Sequence, residues 1–270
     1  MWKKDPDNKD KTEINVEWFK DPKRVLPILK EKPPQTRKTN LASIIVLLNG
    51  DAPDEYTKMM NKDADMTAEQ YQKQEKTEKQ KENWIDHKEI MELWQDKYTK
   101  IKPLLNTTGT LSPKEMRELV SFMVQTVTGG IMFSPRRSEW IYMKTRNYDE
   151  KTDNYIDMKK SSFIFQKYKT AKTHGTEIIK FPRAFKALLL KYLKQTDNDY
   201  LIFNGKGEPM SNVILTQTLN SIYGKKISTS MLRHIYLSDK FADMPSLKEL
   251  NETAQSMGHT TSQMMEYIVK

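Results

Sequence analysis

Apolar residues recur every three to four positions through the first third of the chain, which is the period of amphipathic helices. Trp18-Phe19 opens a short segment, and Val25, Leu26, Ile28 and Leu29 fit a helix entered through Asp21-Pro22, a capping carboxylate followed by proline at the first helical position. Lys32-Pro33-Pro34 stops it. Residues 36–48 read as a second, largely buried helix ended by Asn49-Gly50, residues 52–62 as a third, and residues 67–80 as a fourth that is polar on most faces. A fifth, over 86–105, places Ile90, Leu93, Trp94 and Tyr98 on one side. The first thirteen residues are charged and read as frayed. No strand is expected in this part, so residues 1–105 are predicted to form an all-α domain.

A polar linker, Asn106 to Pro113, separates this from the rest. Ser112-Pro113 opens a helix through Thr128, broken by Gly129-Gly130. Ser134 can then cap and Pro135 can take the first position of a further helix, which puts Arg136 in its first turn beside free backbone N–H groups. Next the period changes to two. Residues 155–158, 163–168 and 176–181 are β-branched or aromatic and separated by polar turns, predicting a three-stranded antiparallel sheet. Helices follow over 184–193 and 211–223. Another, capped by Ser228, carries Arg233 and is anchored by Leu232, Ile235, Tyr236 and Leu237; one more starts at Pro245-Ser246 and ends at Met257-Gly258. A short final helix holds Met264, Met265 and Tyr267. The expected fold is thus mainly α with a small three-stranded antiparallel sheet: a helical domain, 1–105, followed by an α+β domain, 106–270.

Charge sharpens this division. The net charge is +9 and the isoelectric point is about 9.3, with +1 on residues 1–105 and +8 on 106–270. A polyanion bound by the second domain, with affinity that falls steeply with salt, fits this balance. There is no cysteine, which removes disulfides, thiolate catalysis and cysteine-zinc sites, and the four histidines, His87, His174, His234 and His259, are scattered. No apolar run reaches the ~20 residues that span a bilayer, and Met1-Trp-Lys-Lys-Asp-Pro6 lacks a signal-peptide core. The expectation is a soluble, intracellular protein that is not bound to membranes.

Two fragments near the end carry the chemistry: Ser230-Met231-Leu232-Arg233-His234, and Gly258-His259 followed by Tyr267. A tyrosine, with an ordinary pKa near ~10, is a poor nucleophile. It attacks a phosphodiester only where fixed cations polarise the phosphate and tolerate the phenolate, and guanidinium groups do both. An arginine and histidine on one helix, then Gly-His, then a tyrosine one short helix later resemble the C-terminal signature of the tyrosine recombinases, or phage integrase family. Ser134-Pro-Arg136-Arg-Ser-Glu139-Trp140 is similar to the family's Arg-x-Ser-Glu box, with Arg137 as the alternative ligand if the match slips by one. Lys169-Thr-Ala-Lys172 lies where the family carries a hairpin lysine; Lys172 fits best and Lys169 is its rival.

What the resemblance implies is a site-specific recombinase or integrase acting on double-stranded DNA, in the service of a virus or mobile element, as a homo-oligomer that is tetrameric on DNA. Tyr267 would attack, Arg136, Arg233 and His259 would stabilise the charged phosphorus, and Lys172 would protonate the departing 5′ oxygen. Glu139 and Ser230 would support them, with no cofactor and no metal. The helical first domain would be the core-binding clamp, with Arg37 and Lys38 reaching phosphates. The chain departs from the pattern at Ser230, where most members carry a histidine, and a serine is no base near neutral pH. The eight residues from His259 to Tyr267 are about one fewer than usual, and only three residues follow Tyr267. Relatives that extend further dock that tail on a neighbour, so either this exchange is lacking or the natural chain is longer. Two other readings remain at this stage: a type IB topoisomerase-like enzyme, and a DNA-binding relative that has lost catalysis.

Overall fold

The computed structural model describes residues 16–256 together with 2–4, 12–14 and 261. Its helices in chain order are α1 (Pro22–Lys30), α2 (Pro34–Leu48), α3 (Asp54–Lys73), α4 (Glu78–Asn83), α5 (His87–Leu105), α6 (Pro113–Thr128), α7 (Ala171–His174), α8 (Arg183–Leu193), α9 (Asn212–Tyr223), α10 (Thr229–Lys240) and α11 (Leu247–Ser256). Short 3-10 helices cover Val16–Lys20 and Ser138–Tyr142. The strands are β1 (Trp2–Lys4), β2 (Thr12–Ile14), β3 (Met143–Lys144), β4 (Asn154–Asp157), β5 (Ser162–Phe165) and β6 (Glu177–Lys180). The protein is mainly helical, with a small mixed sheet.

The chain separates into two compact units, and the division differs from the one at 105/106 expected from the sequence. One unit comprises residues 1–75 with 244–270, the other residues 76–243. α4 and α5 therefore belong with the second unit. The reason lies in the apolar side of α5, which packs on α6: Trp94 stacks on Tyr98 and Phe122, and its indole N–H donates to Thr126 Oγ1 at 2.8 Å. Redrawing the boundary concentrates the charge. Residues 76–243 hold 29 Lys+Arg against 19 Asp+Glu, a net +10, while the other unit is left at −1.

In the first unit, Val25, Leu29, Leu41, Ile44, Leu48 and Tyr56 form the core between α1, α2 and α3. Asp21 caps α1 by accepting from the Lys23 N–H at 3.0 Å, as Asp-Pro foretells. α3 runs unbroken through 54–73, where two helices were expected, and stops at Gln74 in the left-handed region with φ 53°. β1 and β2 pair antiparallel, Trp2 opposite Ile14, where frayed chain was expected. α11, assigned from sequence to the second domain, groups with this unit, and its Leu247 N–H donates to Gln74 Oε1 at 3.0 Å.

The second unit is built on an aromatic core. Phe133, Trp140, Phe163, Phe165, Phe181 and Phe185 pack ring on ring, with centroids mostly 4.9–5.6 Å apart. Burying each such side chain stabilises by about 1.5–3 kcal/mol. β4, β5 and β6 pair antiparallel in the order of the sequence. A fourth strand corrects the expected three-stranded sheet: β3 pairs parallel to β4, giving the order β3-β4-β5-β6. Two residues long, it carries no periodicity for a sequence reading to detect. The helix expected from Pro135 does not form. Ser134 spends its hydroxyl elsewhere, residues 134–137 are irregular, and only the 3-10 turn over Ser138–Tyr142 follows, with Trp140 and Ile141 buried in the core.

Candidate active site

The site is assembled where α6 ends. Gly130, with φ 73°, turns the chain against α10 so closely that a Cβ there would lie 2.6 Å from Tyr236 Cδ2 and 3.2 Å from Pro135 Cδ. Glycine is needed both for the conformation and for the approach. Tyr236 also meets the far side of the turn, its hydroxyl 3.2 Å from Ser134 Oγ. His87, at the start of α5, completes the bracket. Its ring lies edge-on to Tyr236 at 5.5 Å, with Nε2 3.2 Å from the Gly129 carbonyl oxygen and Nδ1 3.5 Å from Asp239 Oδ2. The segment leading to Arg136 is thereby fastened to α10.

α10 is capped as expected, Ser228 accepting from the Met231 N–H at 3.2 Å. Met231, Leu232 and Ile235 bury its inner face, but Leu237, expected to anchor it, is exposed. Arg233 stands one turn before Tyr236, on the neighbouring i, i+3 position. It is half-buried and has no hydrogen-bond or ion-pair partner among the described residues. Ser230 and His234 are exposed.

Arg136 lies on the other side of the same turn, its side chain 15% exposed. The guanidinium sits over the Phe165 ring at 4.1 Å and within 5.4 Å of the Tyr168 ring, an attraction between cation and aromatic face. Nη1 pairs with Glu177 Oε2 at 2.9 Å, while Nε is buried with no partner among the described residues. Two expectations are corrected here. Arg136 is not at a helix N-terminus, and the carboxylate that orients it is Glu177 of β6 rather than Glu139. Glu139 lies in the 3-10 turn with Oε2 buried and unpartnered among the described residues.

β5 and β6 carry the lysines. Beyond Phe165 the chain forms a tip held at its neck: Thr176 Oγ1 donates to Gln166 Oε1 at 2.6 Å, and the Tyr168 hydroxyl donates to the Gly175 carbonyl at 2.9 Å. Asn154, 1% exposed, fixes the base. Its side-chain oxygen accepts from the Gln166 and Lys167 N–H groups at 2.8 and 2.7 Å, and its amide donates to the Lys167 carbonyl at 2.9 Å. The tip itself contains the short helix α7, and both Lys169 and Lys172 are exposed on it. The structure therefore does not choose between them.

The turn and its supports bring together Arg136, the helix of Arg233 and the hairpin of Lys169 and Lys172. His259 and Tyr267 lie outside the described residues. In the other unit, Arg37 is spent internally: Nε donates to Asp63 Oδ2 at 2.7 Å, Nη2 pairs with Asp63 Oδ1, and Nη1 reaches the carbonyls of Lys30 and Lys32 at 3.4 and 3.3 Å. Its guanidinium, expected to reach phosphates, is here directed to these internal partners. Lys38 is half-buried. Sequence reasoning missed His87 and Glu177, whose partners are 42 and 41 residues away, a distance over which no local pattern runs.

No family model, curated protein or solved structure matches this chain. No group of three or more His, Asp or Glu side chains among the described residues is placed to hold a metal ion, and no described helix is long and apolar enough to cross a membrane.

Proposed function

We propose that this protein is a DNA strand transferase working as the tyrosine recombinases do. One observation carries the reading: the Gly130–Arg136 turn joins a fixed guanidinium to the helix of a second one, which has no partner among the described residues, and to a lysine-bearing hairpin, within a unit of net charge +10. Two arginines and a hairpin-tip lysine gathered on one phosphate would make a receptor for a phosphodiester.

In the proposed reaction the Tyr267 phenol gives its proton to solvent water and its oxygen bonds to phosphorus. The P–O5′ bond breaks, leaving a 3′-phosphotyrosyl link, and the 5′ oxygen takes a proton from Lys172 or Lys169. Arg136, Arg233 and His259 balance the charge on the five-coordinate phosphorus. The covalent link conserves the phosphodiester energy, so a 5′ hydroxyl from a second duplex reverses the step without ATP. DNA integration or excision, by a tetramer on double-stranded DNA, follows from the resemblance alone.

A duplex nicked near the cleavage point loses its short 5′ fragment and traps the adduct. Tyr267→Phe is expected to abolish trapping and leave DNA binding intact; persistent trapping in that variant would overturn the assignment. Ser230 favours a second reading, a DNA-binding relative without catalysis, since an exposed serine supplies no base. Gel shifts with no adduct on any nicked duplex would establish that one instead.

A further inference from the structure

Arg136 already holds an anion. Its Nη1 is 2.9 Å from Glu177 Oε2, and Glu177, 42% exposed, approaches from the edge strand β6 at the solvent side of an otherwise sheltered guanidinium. The Phe165 and Tyr168 rings lie 4.1 and 5.4 Å from the cation whatever stands at its edge. A carboxylate and a phosphate offer the same pair of oxygens to a guanidinium fork, so one can replace the other without moving the arginine. The geometry differs from a structural ion pair in that respect. A pair built for stability buries both partners, whereas here the anion is the exposed member and the cation the sheltered one.

Resting on the phosphate-receptor reading above, we propose that Glu177 is a resident counter-ion of Arg136 that a DNA phosphate displaces on binding. It keeps the guanidinium oriented on its aromatic floor while the site is empty and competes with DNA for the same edge. As a positioning residue it acts through Arg136 and touches no reacting atom. Every encounter with DNA is weakened by the need to remove it, and only a phosphate seated at Arg136 does so.

The test uses the full chain and a short random-sequence DNA duplex, with affinity measured by fluorescence anisotropy across a salt series, so that no cleavage is required. Glu177→Gln is expected to bind about threefold or more tightly at low salt, in the range of a part-exposed ion pair. It should also show a steeper salt dependence, by up to about 0.9 in the log–log slope if one more phosphate is neutralised. In an Arg136→Ala background the same substitution should change nothing. Equal or weaker binding by Glu177→Gln, or a gain that survives loss of Arg136, would overturn the proposal. Should the Gln variant fail to fold, Glu177→Asp, which withdraws the carboxylate by one methylene, is expected to gain part of the affinity, and no gain would be equally fatal. Tighter binding by Glu177→Gln with no adduct on any nicked duplex would uphold the counter-ion and reject strand transfer, so the two ideas fail separately.

Discussion

Two arginines in this protein, each paired with a carboxylate, are read alike from the sequence and behave differently in the fold. Arg37 has all three guanidinium nitrogens engaged, and its partner Asp63 is fully buried with Thr67 Oγ1 donating to the Asp63 backbone carbonyl. Arg136 has Nη1 on a carboxylate that is half open to solvent, and an Nε with no partner among the described residues. The first arrangement commits four of its five N–H groups and fixes α2 to α3. The second keeps capacity in reserve, which is what a ligand site requires and what stability alone does not explain.

The sharpest way to break this contrast is to remove each guanidinium in turn. Arg136→Ala is expected to lower adduct formation on a nicked duplex by about 10²–10³, the usual cost of losing one stabilising donor. Its unfolding free energy in urea should stay within about 1 kcal/mol of the parent. Arg37→Met should do the reverse, costing about 3 kcal/mol because a buried carboxylate is left alone, with adduct formation per folded molecule unchanged. Adding Asp63→Leu to that variant should restore most of the loss, since an apolar pair of similar volume replaces the ion pair. If both arginines behave alike, Arg136 is a structural ion pair like Arg37.

Gly130→Ala probes the same difference more gently. The new methyl group meets Tyr236 and demands a left-handed backbone, so a loss of about 1–3 kcal/mol is expected. Hydrogen exchange should show the loss in α10 and leave the amides of α2 and α3 in the other unit protected as before. The smallest effect concerns pH. The Asp153 carboxyl is held below the usual carboxylate range by the Asp149 N–H at 3.0 Å, and then by Lys144 at 2.9 Å. A lowered folded value contributes stability that is present above the ordinary value near ~3.9 and lost as pH falls through the lowered one. Asp153→Asn should therefore melt slightly lower than the parent at neutral pH, and the two melting curves should converge in acid.

The helices were legible because their signals are local. Asp21-Pro22, Ser112-Pro113 and Ser228 all cap where the sequence says, and Glu115 completes the box on Ser112. What the sequence could not supply is partnership. The apolar stripe of Ile90 and Trp94 looks the same whether α5 packs forward or backward, so the pattern alone does not say which unit α5 joins. Arg37 meets Asp63 across 26 residues, and Arg136 meets Glu177 across 41. The Ser134-Pro135 signal was outweighed by core packing, because Trp140 and Ile141 have to reach the aromatic cluster and a regular helix from Pro135 is not what delivers them there. Candidate guanidiniums could be named from the sequence; which carboxylate touches which of them could not.

Asn154 has a reach beyond its own strand. By clasping the backbone at Gln166 and Lys167 it immobilises the outgoing limb of the loop, and the Tyr168 and Thr176 contacts tie the returning one. Lys169 and Lys172 thus ride on a short tethered arc, and the reach of either ammonium is set by that leash.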